Sequence, residues 1–326
     1  MAERALVTGV AGFIGSHLAE ALLARGDSVV GIDCLTDYYD PRLKEANLAL
    51  LAGHERFRFV RADLNAVDLA PVAGDVDVVF HQAAQAGVRA SWGREFTTYT
   101  RENVDATQRL LEFFRERPLR RFVYASSSSV YGETTQLPMR EDAPTQPHSP
   151  YGVTKLAAEH LTRLYHRNFG LPTVSLRYFT VYGPRQRPDM AFRRFIGALL
   201  RGEPVAVYGD GLQTRDFTFI SDAVAANLAA AERGTPGGVY NIGGGARVTV
   251  RECLDVLVGL VGRGEVRYEA RQHGDVTHTY ADTARARAEL GFAPRVALAA
   301  GLAHQVEWQR AGRPGGGAGP QGSGGG

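Results

Sequence analysis

Short apolar runs alternate with amphipathic segments through the first 180 residues of the chain. The runs that are typical of buried strands lie at 4–8, 29–33, 56–60, 76–81, 121–125 and 172–178, and the segments between them repeat apolar residues at the helical period. Strands that alternate with helices favour parallel βαβ units. The pattern therefore predicts an α/β protein with a doubly wound parallel sheet, followed by a smaller C-terminal α/β domain.

A glycine-rich turn connects the first predicted strand with the first predicted helix. Gly9, Gly12 and Gly15 follow the run 4–8, and Asp33 ends the second predicted strand. In a βαβ unit, such glycines let the backbone approach a pyrophosphate at a helix N-terminus. An acidic residue at the end of the second strand binds ribose hydroxyls and repels a 2′-phosphate. We therefore expect NAD rather than NADP.

Tyr151 and Lys155 lie four residues apart in a segment of helical period, so their side chains share one face. An ammonium beside a phenol stabilises the phenolate and lowers a pKa that is about 10 when unperturbed. The tyrosine could then act as a base near neutral pH. The same spacing is also common on solvated helices, so the pair alone could also be two side chains without a catalytic role.

Further polar groups follow the other predicted strands. Serines 126–129 come directly after the fifth strand, where open parallel sheets bind ligands, although a solvated turn is the alternative. Asp63 and Leu64 follow the third strand at a place suited to adenine, but Asp63 could equally cap the loop. Farther along, Arg187 stands in a proline-rich turn that could clamp an anion.

The last third of the chain has a looser pattern. We expect the segment 209–216 to be a turn that presents Arg215, and Ser221 with Asp222 to cap a long helix. The glycine-rich C-terminus is typical of a disordered tail. The predicted organisation is a dinucleotide-binding domain at 1–180 to which 219–246 returns, a second domain at 181–218 and 247–310, and a tail at 311–326.

Composition narrows the class of protein. The 37 basic and 35 acidic residues are interspersed, which favours neither nucleic-acid binding nor a polybasic membrane patch. Cys34 and Cys253 are far apart and lack CxxC spacing, so we expect no zinc site, no other metal and a reducing compartment. No run of about 18 apolar residues occurs. We expect a cytoplasmic protein without membrane contact.

Several motifs together resemble the extended short-chain dehydrogenase/reductases, whose Rossmann domain binds NAD and whose smaller domain binds substrate. They are the glycine turn, the serine strand end, Tyr151-x-x-x-Lys155 and the segment 209–216. Within this family the chain is most similar to nucleotide-sugar 4-epimerases. The segments that resemble the UDP-glucuronate 4-epimerases in particular are 37–44, 84–89 and 183–190.

The resemblance implies inversion at C4 of a UDP-hexose, from UDP-glucuronate to UDP-galacturonate, through a transient 4-keto sugar and with NAD returned unchanged. Tyr151 is implied as the base, Lys155 as its partner that also orients the nicotinamide ribose, and Ser127 as a hydrogen-bond donor to the reacting oxygen. The implied NAD contacts are Gly9, Gly12, Phe13, Ile14, Gly15, Asp33, Asp63, Leu64, Ala83, Ala84, Gln85, Asn103, Tyr151, Lys155 and Tyr178. The implied substrate contacts are Arg89, Ser127, Ser128, Ser129, Tyr151, Thr180, Arg187, Val207, Arg215, Arg271 and Asp275.

Alternatives remain at this point. Arg187 could pair with Asp189 or meet solvent instead of a substrate carboxylate. The chain could act on UDP-glucose and UDP-galactose, or it could be a non-catalytic NAD-binding sensor that binds a partner protein. The predicted helices 102–115 and 151–168 carry apolar faces, which favours a homodimer through a four-helix bundle.

Overall fold

A computed structural model of the chain describes residues 3–134, 136–270 and 276–312. Its strands are β1 (Arg4–Thr8), β2 (Ser28–Asp33), β3 (Phe57–Arg61), β4 (Val78–His81), β5 (Arg121–Ser127), β6 (Thr173–Tyr178), β7 (Thr180–Tyr182), β8 (Val205–Tyr208), β9 (Thr214–Phe219), β10 (Gly238–Ile242), β11 (Arg247–Thr249) and β12 (Val266–Glu269). Its α-helices are α1 (Phe13–Arg25), α2 (Pro41–Ala49), α3 (Ala70–Ala73), α4 (Phe96–Thr100), α5 (Ala106–Phe114), α6 (Pro150–Phe169), α7 (Ala191–Arg201), α8 (Ile220–Arg233), α9 (Val250–Val261) and α10 (Leu298–Arg310).

Seven parallel strands form the main sheet in the order β10-β6-β5-β4-β1-β2-β3. The order reverses between β1 and β4, so a crevice opens at the carboxyl ends of these two strands. All neighbouring strands in this sheet run parallel, as expected for strands that are apolar on both faces. The predicted doubly wound α/β fold is confirmed.

Two apolar layers enclose the main sheet. One layer packs α1 and α8 against one face and is continuous with the core of the second lobe. The other packs α5 and α6 against the opposite face. Both layers bury Val, Leu, Ile and Phe side chains completely, and a buried side chain of this size contributes about 1.5–3 kcal/mol to folding. The sheet whose strand ends form the crevice is thus packed between two helical layers.

Residues beyond β6 add two small sheets beside the crevice. One has the order β11-β9-β7 and the other pairs β12 with β8. Strand β10 returns to the main sheet beside β6, inside the range 219–246 that we expected to return to the first domain. The domain boundaries themselves stay a prediction.

Two local predictions were wrong. Arg215 lies on β9, where it is paired with Val248 of β11, and not in a turn. Helix α8 begins at Ile220 after Phe219, so Ser221 and Asp222 are in its first turn and do not cap it. Asp222 instead accepts a hydrogen bond from the backbone of Val296 at 3.2 Å. Its carboxylate therefore ties the helix to the chain before α10.

In the described ranges, each helix is too short or too polar to cross a bilayer. The predicted tail at 311–326 lies outside the described residues from position 313 onward.

Candidate active site

The glycine turn between β1 and α1 brings backbone against backbone. A Cβ atom on Gly15 would lie 2.2 Å from the carbonyl oxygen of Gly9, and one on Gly9 would lie 2.8 Å from Cα of Ala83. Gly9 also has a φ of +67°, which favours glycine. The N-cap of α1 is Gly12, whose lack of a side chain leaves the first-turn N–H groups open to an anion. The turn therefore fits a pyrophosphate.

Asp33 lies at the carboxyl end of β2 beside this turn. Its Oδ2 accepts a hydrogen bond from the Ala11 backbone at 3.1 Å, and its Oδ1 accepts one from Leu35 at 2.8 Å. Both bonds fix the carboxylate at the rim of the crevice. An acid in this position can accept bonds from ribose hydroxyls and disfavours a phosphate there.

A long cleft follows the carboxyl ends of the central strands. Most of the residues that we predicted to contact NAD line it, namely Gly9, Gly12, Phe13, Ile14, Gly15, Asp33, Leu64, Ala83, Ala84, Gln85, Tyr151, Lys155 and Tyr178. The cleft has room for an extended dinucleotide, with the glycine turn at one end and Tyr151 at the other. These residue roles stay a prediction.

Two of the predicted NAD contacts do not line this cleft. Asp63 accepts a hydrogen bond from the Asn65 backbone at 2.8 Å and pairs with Arg101, which is the loop-capping role that we had left open. Asn103 is buried and exchanges hydrogen bonds with the backbone of Gln85, at 2.7 and 3.0 Å. Its amide also donates to Thr154 of α6, so it positions the cleft wall from behind.

Helix α6 presents Tyr151 and Lys155 to the same cleft, one turn apart. Ser149 caps the helix through a 3.1 Å bond from Gly152, and Pro150 occupies its first position. This cap fixes where the helix starts, and therefore how far the phenol projects from the N-terminal turn.

The electrostatics of the pair differ from the sequence prediction. Burial raises the pKa of Tyr151, while the charge of Arg187 and the hydroxyl of Ser127 act in the opposite direction. Burial also lowers the pKa of Lys155 to about 7, against the opposing effect of Glu159. The Lys155 ammonium lies 4.5 Å from the ring centroid of Tyr124. The prediction that Lys155 lowers the pKa of Tyr151 was therefore wrong: the cation acting on the phenol is Arg187.

The serine turn after β5 places Ser127 beside Tyr151. The Ser127 oxygen accepts a 3.1 Å hydrogen bond from the Ser129 backbone, which caps the short helical turn 128–130. Because that bond occupies an acceptor position, the hydroxyl proton can point toward the phenol and a bound oxygen. Ser128 and Ser129 lie in the helical turn itself and are half-buried.

A second cleft joins the first at Tyr38 and Arg187, which line both. The other predicted substrate contacts that line it are Arg89, Thr180, Val207 and Arg215. Arg187 donates from Nε and Nη2 to the two carboxylate oxygens of Asp189, each at 3.0 Å. The alternative of an Arg187–Asp189 ion pair is thus what the structure contains.

Arg215 is held at the far end of this second cleft. Its guanidinium donates to the carbonyl oxygens of Val276 at 2.7 Å and Thr277 at 3.1 Å. Arg89 stacks its guanidinium 4.5 Å from the ring centroid of Tyr208. Arg271 and Asp275, also predicted to contact substrate, lie outside the described residues.

Sequence reasoning missed several residues that line the first cleft. Tyr38, Tyr39 and Lys44 form a cover over it, and the Lys44 ammonium donates to the Thr36 carbonyl and hydroxyl at 2.9 Å each. These residues belong to the segment 37–44, whose similarity to the glucuronate branch was noted without a role. No periodic or motif signal shows that these three side chains line the cleft rather than face solvent.

Comparison with known proteins identifies the family. Residues 5–243 match the family model described as NAD dependent epimerase/dehydratase family. YtcB of Bacillus subtilis (strain 168), described as an uncharacterized UDP-glucose epimerase, is 45% identical over 93% of this chain and 96% of its own length. The UDP-glucuronate 4-epimerase of Thermodesulfobacterium geofontis (strain OPF15) is 38% identical over 94% of this chain and 95% of its own.

A solved structure is similar over nearly the whole chain. The UDP-glucuronic acid 4-epimerase from Bacillus cereus, crystallised with UDP-glucuronic acid and NAD, superposes with a TM-score of 0.92. It is 43% identical, and the match covers 94% of this chain and 99% of that one. The expected fold and family are therefore confirmed, and the chain belongs to the NAD dependent epimerase/dehydratase family.

Proposed function

We propose that the protein is an NAD-dependent 4-epimerase of UDP-hexoses, and that its preferred reaction interconverts UDP-glucuronate and UDP-galacturonate. The observation that carries this proposal is that the Ser127 hydroxyl and the Arg187 guanidinium both act on the Tyr151 phenol, and that Arg187 lines both clefts. A base, a hydroxyl donor and a guanidinium are the groups that oxidation of a uronate sugar at C4 requires. The Thermodesulfobacterium and Bacillus cereus relatives carry the same activity in their names.

The first cleft suits NAD along its length. The N-terminus of α1 would hold the pyrophosphate, Asp33 the adenosine ribose, and Lys155 with Tyr178 the nicotinamide end. When bound, NAD supplies an acceptor for the C4 hydride and returns that hydride later in the cycle. The close backbone approach at Gly9 and Gly15 is the structural support, because a side chain there would fill the pyrophosphate position.

The chain's own residues accept and return the proton of the sugar 4-hydroxyl. Tyr151 takes it from the sugar 4-hydroxyl, and Ser127 donates a hydrogen bond to the same oxygen as charge develops. Arg187 stabilises the phenolate, since its charge favours the ionised form of Tyr151. For inversion, the cleft must let the 4-keto sugar turn over, so that the hydride would return to the opposite face of C4 while Tyr151 gives the proton back to the 4-oxygen.

A 4-keto uronate is a β-keto acid, and it loses CO₂ when its carboxylate stands perpendicular to the carbonyl plane. An epimerase must therefore hold the carboxylate still. Arg187 can do so with a planar fork, and Thr180, which lines the same cleft, would add a hydroxyl, as would Ser128 and Ser129 of the serine turn. The serine turn has no acidic residue that would assist an elimination.

In the second cleft, Arg215 would bind the diphosphate, with Arg89 and Val207 beside the nucleotide.

One other substrate has a specific observation in its favour. YtcB, at 45% identity, is named for UDP-glucose, which has no carboxylate for Arg187 to bind. A protein that acts on UDP-glucose should tolerate loss of this guanidinium. A non-catalytic NAD sensor is disfavoured, because it has no use for Tyr151 and Ser127 side by side.

The test is a product analysis by NMR. Purified protein is incubated with UDP-glucuronate, UDP-glucose or UDP-xylose, and we expect UDP-galacturonate from the first as the fastest conversion. Tyr151→Phe should lower the rate by about 10²–10⁴-fold while NAD is retained, and Tyr268→Phe, at an exposed tyrosine, should leave it unchanged.

Three results would redirect the proposal. Released CO₂ or a UDP-pentose would mean decarboxylation, and faster conversion of UDP-glucose would favour the neutral sugar. Bound NAD with no turnover of any sugar would favour the sensor. Arg187→Met separates the first two substrates, because it should reduce kcat/KM about 10–100-fold more for UDP-glucuronate than for UDP-glucose, which has no carboxylate to lose.

A homodimer through a four-helix bundle is part of the proposal. Val153 and Leu164 of α6 are 48% and 50% exposed, and Trp92 and Phe96 near α4 are 51% and 38% exposed. A second copy that packed α5 and α6 against the same helices would cover this surface. A cytoplasmic location also stays a prediction, supported by the free thiols of Cys34 and Cys253.

A further inference from the structure

Asp189 lines the second cleft, next to Tyr38 and Arg187 at the junction of the two clefts, and the proposed chemistry gives it no role. It lies in the short segment between β7 and α7, and its side chain is 39% exposed. Its two oxygens accept from Nε and Nη2 of Arg187, so one edge of the guanidinium is engaged. Nη1 is not part of this fork and stays available to a substrate carboxylate.

The Asp189 carboxylate has a second hydrogen-bond partner. The Tyr38 hydroxyl hydrogen-bonds to Asp189 and also interacts with Tyr99. The Tyr99 ring in turn meets the Tyr151 ring edge to face, with centroids 6.2 Å apart. The ion pair is thus built into the wall that surrounds the reacting phenol and is not a loose surface contact.

Arg187 is fixed from its N-terminal side as well. Arg185, two residues earlier, has a φ of +66° and donates to Ser16 at 3.3 Å and to His17 at 3.2 Å, both on α1. It also pairs with Glu20 of the same helix. The hydrogen bonds to Ser16 and His17, which do not involve Glu20, limit where the segment between β7 and α7 can move. Arg187 therefore presents a defined charge to Tyr151.

We propose that Asp189 is a positioning residue that limits the positive charge which Arg187 presents to Tyr151, and so sets the basicity of the phenol. The inference rests on the proposed function for its catalytic meaning. An unopposed guanidinium would stabilise the phenolate more strongly and make it a weaker base. A neutral side chain in place of Arg187 would leave Asp189 as a nearby negative charge, which disfavours the phenolate.

Removing the positive charge of Arg187, the negative charge of Asp189 or both should change the pKa of Tyr151 in a fixed order. The pKa of Tyr151 should rise through the series Asp189→Asn, parent, Arg187→Met/Asp189→Asn and Arg187→Met, with steps on the order of half a pH unit. A role in packing alone would give no such order. The other titratable or charged groups around Tyr151 stay the same throughout, and they are Lys155 and Glu159 of α6, Tyr124 of β5, Tyr99 of α4 and Tyr38 of the loop above.

The experiment is a pH titration of the NAD-loaded protein labelled with ¹³C at tyrosine Cζ. The Tyr151 resonance is assigned by its loss in Tyr151→Phe and is followed in each variant of the series. Glu20→Gln is the matched control, because it also removes the carboxylate partner of an arginine in this segment, but on the side facing α1. We expect the control to titrate like the parent.

The kinetic counterpart is the acid limb of the kcat profile, which should move in the same order with the sugar that the parent converts. Should Asp189→Asn fail to fold, Asp189→Ser removes the same charge. Coincident titrations for the parent and Asp189→Asn, a shift of the opposite sign, or an equal shift in Glu20→Gln would overturn the inference. A parent that converts no sugar would overturn the proposed function, and the NMR order would still decide the electrostatic claim.

Discussion

The Ser126 hydroxyl donates a 2.6 Å hydrogen bond to Oε2 of Glu159, a buried residue one turn beyond Lys155 on α6. Glu159 is fully buried and also accepts from Arg177 of β6, at 2.6 and 3.0 Å. This triad connects the strand that carries the serine turn with the helix that carries Lys155. The geometry of the reacting groups therefore depends on a buried ion pair.

Loss of Glu159 should destabilise the fold strongly. Glu159→Gln leaves the Arg177 guanidinium buried without a counter-charge, and breaking such a pair costs about 3–5 kcal/mol. Urea denaturation measures the loss, and Glu159→Gln/Arg177→Met should recover a large part of it. Glu265→Gln, from the exposed Arg267–Glu265 pair, is the control and should change stability little. Equal effects at the two sites would contradict this account.

Lys155 should reduce stability near neutral pH. Burial lowers its pKa to about 7, whereas an unfolded lysine titrates near 10.4, so the unfolded state binds more protons between these values. The free energy of unfolding then rises with pH across that window. Lys155→Met, which removes the charge, should be more stable than the parent by about 2–4 kcal/mol at pH 7.

That difference should shrink as the pH approaches and passes 10, because the lysine then loses its proton in the unfolded state as well. Denaturant titrations of the apo proteins at several pH values give the comparison. A difference that is independent of pH would mean that packing, and not charge, separates the two proteins.

Gly15 should be indispensable for NAD binding. Gly15→Ala sets a Cβ atom 2.2 Å from the Gly9 carbonyl oxygen, so the turn must open and the N-terminus of α1 must shift. We expect calorimetry to show loss of NAD affinity by at least about tenfold, which corresponds to 1.4 kcal/mol. Gly259→Ala on α9 is the matched control, since its Cβ would meet open space and alanine favours a helix. NAD binding by Gly15→Ala at the parent's affinity would refute the proposed role of the turn.

Local sequence signals predicted the parts of the site that belong to one βαβ unit. The glycine turn and Asp33 are close in sequence, so strand, turn and helix periods suffice to bring them together. Tyr151 and Lys155 are likewise fixed by one helix. The fold class followed from the same periodicity, because strands apolar on both faces must lie inside a parallel sheet.

Electrostatic partners could not be predicted in the same way. The effect of Arg187 on Tyr151 depends on where a segment 36 residues later in the chain is held, and no spacing rule encodes that. The motif placed Lys155 next to Tyr151, but its ammonium lies against the ring of Tyr124. For Asp63, whose position after the third strand suited either adenine or a loop cap, sequence does not give the direction of the side chain. Asn103 was implied by the family resemblance alone, and its amide bonds the Gln85 backbone instead of lining the cleft.

Asp33 should decide between the two nicotinamide dinucleotides. Asp33→Asn keeps the shape of the side chain but only one of its two acceptor oxygens, so one of the bonds from Ala11 and Leu35 is lost together with the charge that repels a 2′-phosphate. We expect the ratio of NADP to NAD affinity to rise about tenfold or more in protein stripped of cofactor. Calorimetry with each dinucleotide measures the ratio. Asp75→Asn, at an exposed acid that pairs with Arg4 at the N-terminal end of β1, should leave the ratio unchanged.

A charge on the exposed face of α6 should dissociate the proposed dimer. Leu164 is 50% exposed, and Leu164→Glu would bury a carboxylate in an apolar interface, at a cost that exceeds what one side chain contributes to association. Sedimentation should then report a monomer. Leu212→Glu is the matched control, because Leu212 is 52% exposed but lies in the turn before β9, away from both helices. If Leu212→Glu separates the subunits and Leu164→Glu does not, the dimer uses the second lobe, and the four-helix arrangement is wrong.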